Sequence, residues 1–144
     1  METPQAIIAA DFPKKVIPLI AAAKQSLRII VYDWRWYPSV NGSSCAGFNA
    51  AIVSAAKRGV AVRALVNNDG VIAILKAKGI KGQRVHSERT LHTKLMIIDD
   101  TKIIIGSHNY SENAFSLNHE ASILVELPAA ENDFVSYFEN LWGV

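Results

Sequence analysis

Apolar residues come along this chain in short runs broken by polar and glycine punctuation, and the period of each run predicts an element. Residues 6–9 (AIIA) form a brief apolar run that predicts an outer strand. Asp11-Phe-Pro13 then opens a helix, with Asp11 as its cap and Pro13 in its first turn, running to about residue 25. Residues 27–32 (LRIIVY) are short and rich in β-branched side chains, which predicts a strand. Residues 46–58 place apolar side chains at 48, 52, 53 and 56, a helical spacing closed by Gly59. Residues 60–66 predict the next strand, and residues 70–78 a short helix closed by Gly79.

The alternation then changes character. Residues 91–98 and 102–106 are apolar runs separated by Asp99-Asp-Thr101, which predicts a hairpin. Residues 120–127 predict another strand. Phe134, Tyr137, Phe138, Leu141 and Trp142 make one stripe of a C-terminal helix. Strands alternating with helices and followed by a hairpin imply an α/β fold: a mixed parallel and antiparallel sheet flanked by helices on both faces. There is no internal repeat or linker, so residues 1–144 are expected to form a single domain.

Composition narrows the class. Half the residues are hydrophobic and 19% are charged, a balance that suits a packed globular domain and not a disordered chain. No apolar run approaches the length of a bilayer span, so stable membrane insertion is not expected. The N-terminus lacks a basic region followed by a long apolar core, and the single cysteine, Cys45, suits a reducing compartment. A cytoplasmic location is therefore expected, or a secreted or periplasmic one if a leader was removed. Net charge is only +2, but its distribution is uneven. Residues 57–94 carry nine Lys/Arg against two acids, and residues 95–144 carry one base against eight acids. Most of those cations read as solvated helix faces, yet a basic segment leading to His92 also suits a polyanionic substrate.

The stretch LHTKLMIIDD, residues 91–100, sets two polar side chains at the front of an apolar run. On a strand, His92 and Lys94 share a face, and across the hairpin Ser107 and Asn109 share one as well. Gly106 allows a backbone or ligand to approach closely at the strand end. Burying a lone lysine costs several kcal/mol unless it is paired, and a phosphate would supply the partner. Lys94 offers a point charge, Asn109 an amide donor, Ser107 a hydroxyl, and His92 a nucleophile or proton carrier.

His92-x-Lys94-x4-Asp99, followed after six residues by Gly106-Ser107-x-Asn109, resembles the H-x-K-x4-D signature of the phospholipase D superfamily. Asn118-x-Glu120 matches the N-x-E that follows it in many members. The helix–glycine–strand lead-in at residues 55–62 and Asp11-Phe-Pro13 extend the resemblance over nearly the whole chain. The resemblance implies a phospholipase D-like fold and a phosphodiesterase that forms a covalent phosphohistidine at His92. It implies that Lys94 and Asn109, supported by Ser107, hold the phosphate oxygens, and that Glu120 accepts a hydrogen bond from His92. Asp99 lies seven residues beyond His92, facing away on a straight strand, and reads as structural despite its place in the motif. The family chemistry uses two histidines, and this chain carries one motif. A homodimer with one shared active site is implied, as in small single-motif endonucleases, with no metal and no cofactor.

Tyr32-Asp-Trp-Arg-Trp-Tyr-Pro38 is the other unusual stretch, expected to open an extended loop through Ser44. Trp34, Arg35, Trp36 and Tyr37 suit stacking on the bases of a single strand, or a dimer interface, with equal weight; a membrane interface is a weaker third reading. Arg89 belongs to the same expected substrate surface. His86, His108 and His119 read as surface or packing residues. The function that best fits is a nuclease acting on DNA or RNA. Phospholipid or cardiolipin phosphodiesterase is the runner-up, and a catalytically silent nucleic-acid-binding module is a third class. A metallohydrolase fits less well, because the four histidines lack ligand spacing.

Overall fold

A computed structural model describes residues 4–36 and 43–144. The elements in chain order are β1 (Gln5–Ile8), α1 (Asp11–Ala21), β2 (Ser26–Ile30), α2 (Ser44–Lys57), β3 (Ala61–Leu65), α3 (Asp69–Ala77), β4 (Lys81–Gln83), β5 (Leu95–Ile98), β6 (Lys102–Gly106), β7 (Ala121–Glu126) and α4 (Asp133–Leu141). One seven-stranded sheet runs in the order β1-β7-β6-β5-β2-β3-β4. β2, β3 and β4 are parallel, joined by crossovers through α2 and α3; every other pairing is antiparallel. The mixed sheet predicted from the pattern is thus present.

Alternation along the strands sorts the core onto two faces. Leu27, Ile29, Val62, Ala64, Met96, Ile98 and Ile104 pack with Val16, Ile20, Phe48, Ile52 and Leu75 of the three N-terminal helices. Ile30, Leu65, Leu95, Ile97 and Ile103 pack on the other face against Phe138, Phe134 and Leu141 of α4. Helices therefore flank both faces, three on one and α4 on the other.

Several boundaries differ from expectation. Asp11 is the first residue of α1 and caps nothing: the helix has no side-chain cap. It ends at Ala21, because residues 22–25 turn to meet the carboxylate of Asp99. β4 is only three residues long, and its sequence KGQ has no apolar alternation to betray it. The expected strand over residues 91–98 begins only at Leu95. A π-helical turn, Asn113–Leu117, precedes β7. Gly59 and Gly79 end their helices with φ of 99° and 78°, the left-handed conformation that favours glycine.

Charges staple α4 to the sheet. Arg28 donates from Nε to Glu139 at 2.9 Å and also pairs with Asp100. Arg63 pairs with the same Glu139 carboxylate and lies 5.1 and 5.0 Å over the rings of Phe138 and Trp142. Arg63 holds the Glu139 carboxyl below its ordinary value of 4.5; partial burial opposes this, and Arg28 reinforces it. A depressed carboxylate stabilises the fold above its unfolded pKa, and that stability is lost as pH falls through the folded pKa. Glu139→Gln is expected to destabilise the protein by about 1 kcal/mol at neutral pH, allowing for solvent screening at this half-exposed site. The difference from wild type should vanish below the depressed pKa. Urea denaturation at neutral and acidic pH measures both.

Candidate active site

The C-terminal ends of β2, β3 and β6 and the N-terminal ends of β5 and β7 lie at one end of the sheet. The motif residues gather there. His92 and Lys94 precede β5, Ser107 and Asn109 follow β6, and Glu120 precedes β7. Their placement does not come from strand alternation, because residues 91–94 make no ladder. Side chains hold that segment instead. Asn67 donates from Nδ2 to the carbonyls of Leu91 (3.0 Å) and Tyr32 (3.2 Å). Thr93 shares a 2.9 Å hydroxyl contact with Tyr137 of α4. Leu91 is buried in the α4-side core.

His92 is exposed and Lys94 half-buried, so neither is the buried polar group that the pattern suggested. The Lys94 ammonium lies 3.1 Å from His92 Nδ1 and 3.5 Å from Nε2. An ammonium has only protons to give, so the ring nitrogen it meets offers a lone pair. Partial burial lowers the Lys94 pKa, and the Glu120 carboxylate offsets part of that effect. Tyr32 packs its ring 4.7 Å from the imidazole.

Asn109 accepts from the Asp33 backbone N–H at 3.1 Å through Oδ1. That bond fixes the amide and leaves its NH2 as a donor. The neighbouring backbone zips the same two segments together, Tyr110 donating to Asp33 and Arg35 to Tyr110. Ser107 points toward the other flank. It donates to Glu120 Oε1 at 2.6 Å and accepts from the Ala121 N–H at 3.0 Å. Asn118 donates to the second Glu120 oxygen at 3.2 Å. The expected His92–Glu120 hydrogen bond is therefore replaced: Glu120 is held by Ser107 and Asn118. His108 is buried between Ser122 (2.8 Å) and the Ala9 carbonyl (2.9 Å), and it stacks on Phe12. His86 and His119 are exposed. Asp99 accepts from the backbone N–H groups of Lys24, Gln25 and Ser26.

A groove of about 780 Å³ adjoins His92 at the ends of β2 and β3. Arg35, Trp36, Asn67, Arg84, Arg89 and Tyr32 are among its walls. Arg35 pairs with Asp33 at 2.9 Å and Arg84 with Asp69 at 3.5 Å. Trp34 needs correction. It is only 4% exposed, wedged between Trp36 and Tyr110, and its indole N–H donates to Asn49 at 2.7 Å. A residue so satisfied is core and not a platform for bases. Tyr37 lies outside the described residues. Tyr32, Asn67 and the Thr93–Tyr137 pair escaped the sequence reading. The adjacency of β2 to β5 brings Tyr32 to His92, the pairing of β3 with β2 brings Asn67, and the packing of α4 brings Tyr137 to Thr93; none of these is visible along the chain.

An α/β sheet that gathers His, Lys, Asn and Ser at one end carries the residue set of the H-x-K motif in one place. The family model described as "Cardiolipin synthase, PLD-like domain" matches residues 16–142, and the chain belongs to this phospholipase D-like family. Mitochondrial cardiolipin hydrolase of Xenopus tropicalis is 25% identical over 134 residues, covering 89% of this chain and 60% of that protein. The Danio rerio protein of the same name is 27% identical over 135 residues, covering 89% and 56%. The chain thus spans less than two-thirds of these relatives. Among solved structures, Nuc from Salmonella typhimurium, a phospholipase D family member, superposes with a TM-score of 0.79 at 22% identity. NucT from Helicobacter pylori gives 0.76 at 21%. Each match covers 97% of this chain and 95% of the other, and at that identity it shows a shared fold.

Gly106 is where the fold constrains the site most tightly. A Cβ there would collide with the Ala121 carbonyl and with the Cα and Oγ of Ser122. The close approach is that of β7, not of a ligand. Gly106→Ala is expected to cost about 2–3 kcal/mol, because backbone must yield, and to disturb the Ser107–Glu120 bond. Urea denaturation tests the magnitude, and Ser107→Ala, which removes no packing, provides the control.

Proposed function

We propose that the protein is a metal-independent phosphodiesterase that hydrolyses nucleic acid through a phosphohistidine at His92, in a site shared by two copies of the chain. The observation that carries this is the contact between His92 and Lys94, with the Asn109 amide anchored at the same sheet end. One phosphate can meet a nucleophile, a cation and an amide donor there. As phosphate enters, the Lys94 ammonium passes from the imidazole to a phosphoryl oxygen, freeing the His92 lone pair. That nitrogen forms the N–P bond as the P–O bond to the leaving group breaks. The partner's His92 gives the leaving oxygen its proton. Water then attacks phosphorus, the partner's His92 takes its proton, and the N–P bond breaks to restore His92. Glu120, held by Ser107 and Asn118, supplies a negative charge that offsets part of the desolvation of Lys94.

Two features support the substrate and the dimer. The groove beside His92 mixes arginines, amides and aromatic rings, which suits sugar, base and phosphate better than acyl chains. On the α4 side of the sheet, the β1–β7 end carries Ile8 at 51% and Ile123 at 39% exposure, paired with Ala121 and Ala6. This open apolar strip runs up to Ala121, next to Glu120, and a second copy would cover it while bringing its own histidine. Cys45 is buried and its thiol is pushed up to about 12, chiefly by burial, so it stays an unreactive thiol. No helix among the described residues is long and apolar enough to cross a membrane.

A lipid phosphodiesterase is the second reading. The relatives named cardiolipin hydrolases favour it, as does a groove of about 670 Å³ between α2 and α3, walled by Ala46, Ala50, Val53, Ile74 and Ala77. Incubation with labelled DNA, RNA and cardiolipin vesicles, all in chelator, separates the readings. Cleavage of nucleic acid is expected; cleavage of vesicles alone would establish the lipid reading. His92→Ala should abolish turnover and the acid-labile phosphoramidate trapped on wild type, while activity lost in chelator and restored by a divalent ion would overturn metal independence.

The shared site has its own test. When wild-type and His92→Ala chains exchange subunits, activity is expected to fall as the square of the wild-type fraction. A linear fall under demonstrated exchange would show that each chain works alone.

A further inference from the structure

Tyr32 follows β2, and nothing in the core explains its side chain. Its ring is 42% exposed, and its hydroxyl makes no hydrogen bond among the described residues. What the ring does touch is the reacting pair. Its centroid lies 4.7 Å from that of the His92 imidazole, with the planes inclined at 46°. The Lys94 ammonium lies 5.6 Å from the same centroid, within the range at which an aromatic face attracts a cation. The three groups thus form a closed triangle, its third side the 3.1 Å contact between Lys94 and His92.

The backbone binds this triangle together. One amide, Asn67 Nδ2, donates to the carbonyl of Tyr32 and to that of Leu91, the residue before His92. The ring and the imidazole are therefore referred to a single point on the end of β3. Because residues 91–94 lack ladder hydrogen bonds, such contacts take the place of strand pairing in fixing the nucleophile.

We propose that Tyr32 is a positioning residue for the reaction: its ring face holds the Lys94 ammonium turned beside His92. The proposal rests on the site reading above, and it adds a residue outside the H-x-K motif. Three groups bear on Lys94: His92 on its own segment, the Glu120 carboxylate ahead of β7, and the Tyr32 ring beyond β2. Partial burial pulls the ammonium toward its neutral form, and Glu120 offsets part of that; a π face beside a cation acts in the same sense as the carboxylate. An amine that lost its proton would bring no charge to a phosphoryl oxygen.

Three variants separate the ring face from bulk and from the hydroxyl. Tyr32→Phe keeps the π face, Tyr32→Leu keeps apolar bulk without it, and Tyr32→Trp strengthens it. The Lys94 ammonium is titrated by NMR in each free protein, and the pH profile of kcat/KM is recorded with bis(p-nitrophenyl) phosphate. Tyr32→Phe is expected to match wild type in both. Tyr32→Leu is expected to lower the Lys94 pKa by about half a unit, to carry the alkaline limb down with it, and to cut kcat about tenfold. Tyr32→Trp is expected to move the titration the other way. An unchanged Lys94 titration in Tyr32→Leu, or a Tyr32→Phe protein as impaired as Tyr32→Leu, would overturn the proposal. The titration needs no substrate, so a wild-type protein that cleaves no nucleic acid would sink the proposed function and leave this test standing.

Discussion

The carboxylate of Asp99 is the constraint on which the arrangement of the sheet end depends. It sits in the hairpin turn with φ of 51°, followed by Asp100 at 64°, and it accepts from three consecutive backbone N–H groups, those of Lys24 and Gln25 before β2 and of Ser26 that opens it. Partial burial acts to raise its pKa, but the three N–H donors outweigh that and hold it low. The bond pins the start of β2 to the end of β5, which sets the antiparallel register that pairs Leu27 with Ile98 and Ile30 with Leu95. A slip of one residue would turn Met96 and Ile98 from one core to the other. The same register decides what stands beside His92 at the far end, where the chain leaves β2 as Tyr32. Asp99 thus governs, from the opposite end of two strands, which ring meets His92.

Much of this was legible in the chain because side-chain period and turn chemistry are local. The central strands, the helices closed by Gly59 and Gly79 and the Asp99–Thr101 hairpin declare themselves by spacing alone. Adjacency is not local. Nothing in KGQ marks β4, whose hydrogen bonds come from β3 alone. LHTK reads as strand because its apolar positions continue those of LMII, yet strand pairing stops at Leu95 and side chains from β3 and α4 take over. Trp34 misleads for a related reason. Its neighbours in sequence are polar, but its neighbours in space are Tyr110, Trp36 and Asn49, which bury the ring and satisfy its N–H.

The site is divided between two flanks, and the division has a physical logic. Ser107 and Asn109 leave the same strand two residues apart, yet Ser107 bonds toward β7 and Asn109 toward the chain beyond β2. Each uses its acceptor oxygen on backbone N–H, so each is fixed by the scaffold and not by its partner in the motif. Charge is divided likewise: the Glu120 carboxylate and the Lys94 ammonium sense each other across the sheet end without a direct bond. Two such groups, each tethered on its own side, are kept from collapsing into an ion pair.

That arrangement also explains why a lysine can serve where solvent is near. A fully buried ammonium would lose its proton, and a fully exposed one would be screened and mobile. Lys94 is held between these limits, half-buried, with a carboxylate offsetting part of its desolvation and an aromatic face beside it. Its charge is worth more to a phosphoryl oxygen there than on an open surface, because the surrounding dielectric is lower. A second copy laid over the exposed Ile8 and Ile123 strip would lower it further, drying the site as it delivers the second histidine. On the proposed reading, association and electrostatic stabilisation are therefore one event, and a lone chain lacks both the acid and the environment in which Lys94 acts most strongly.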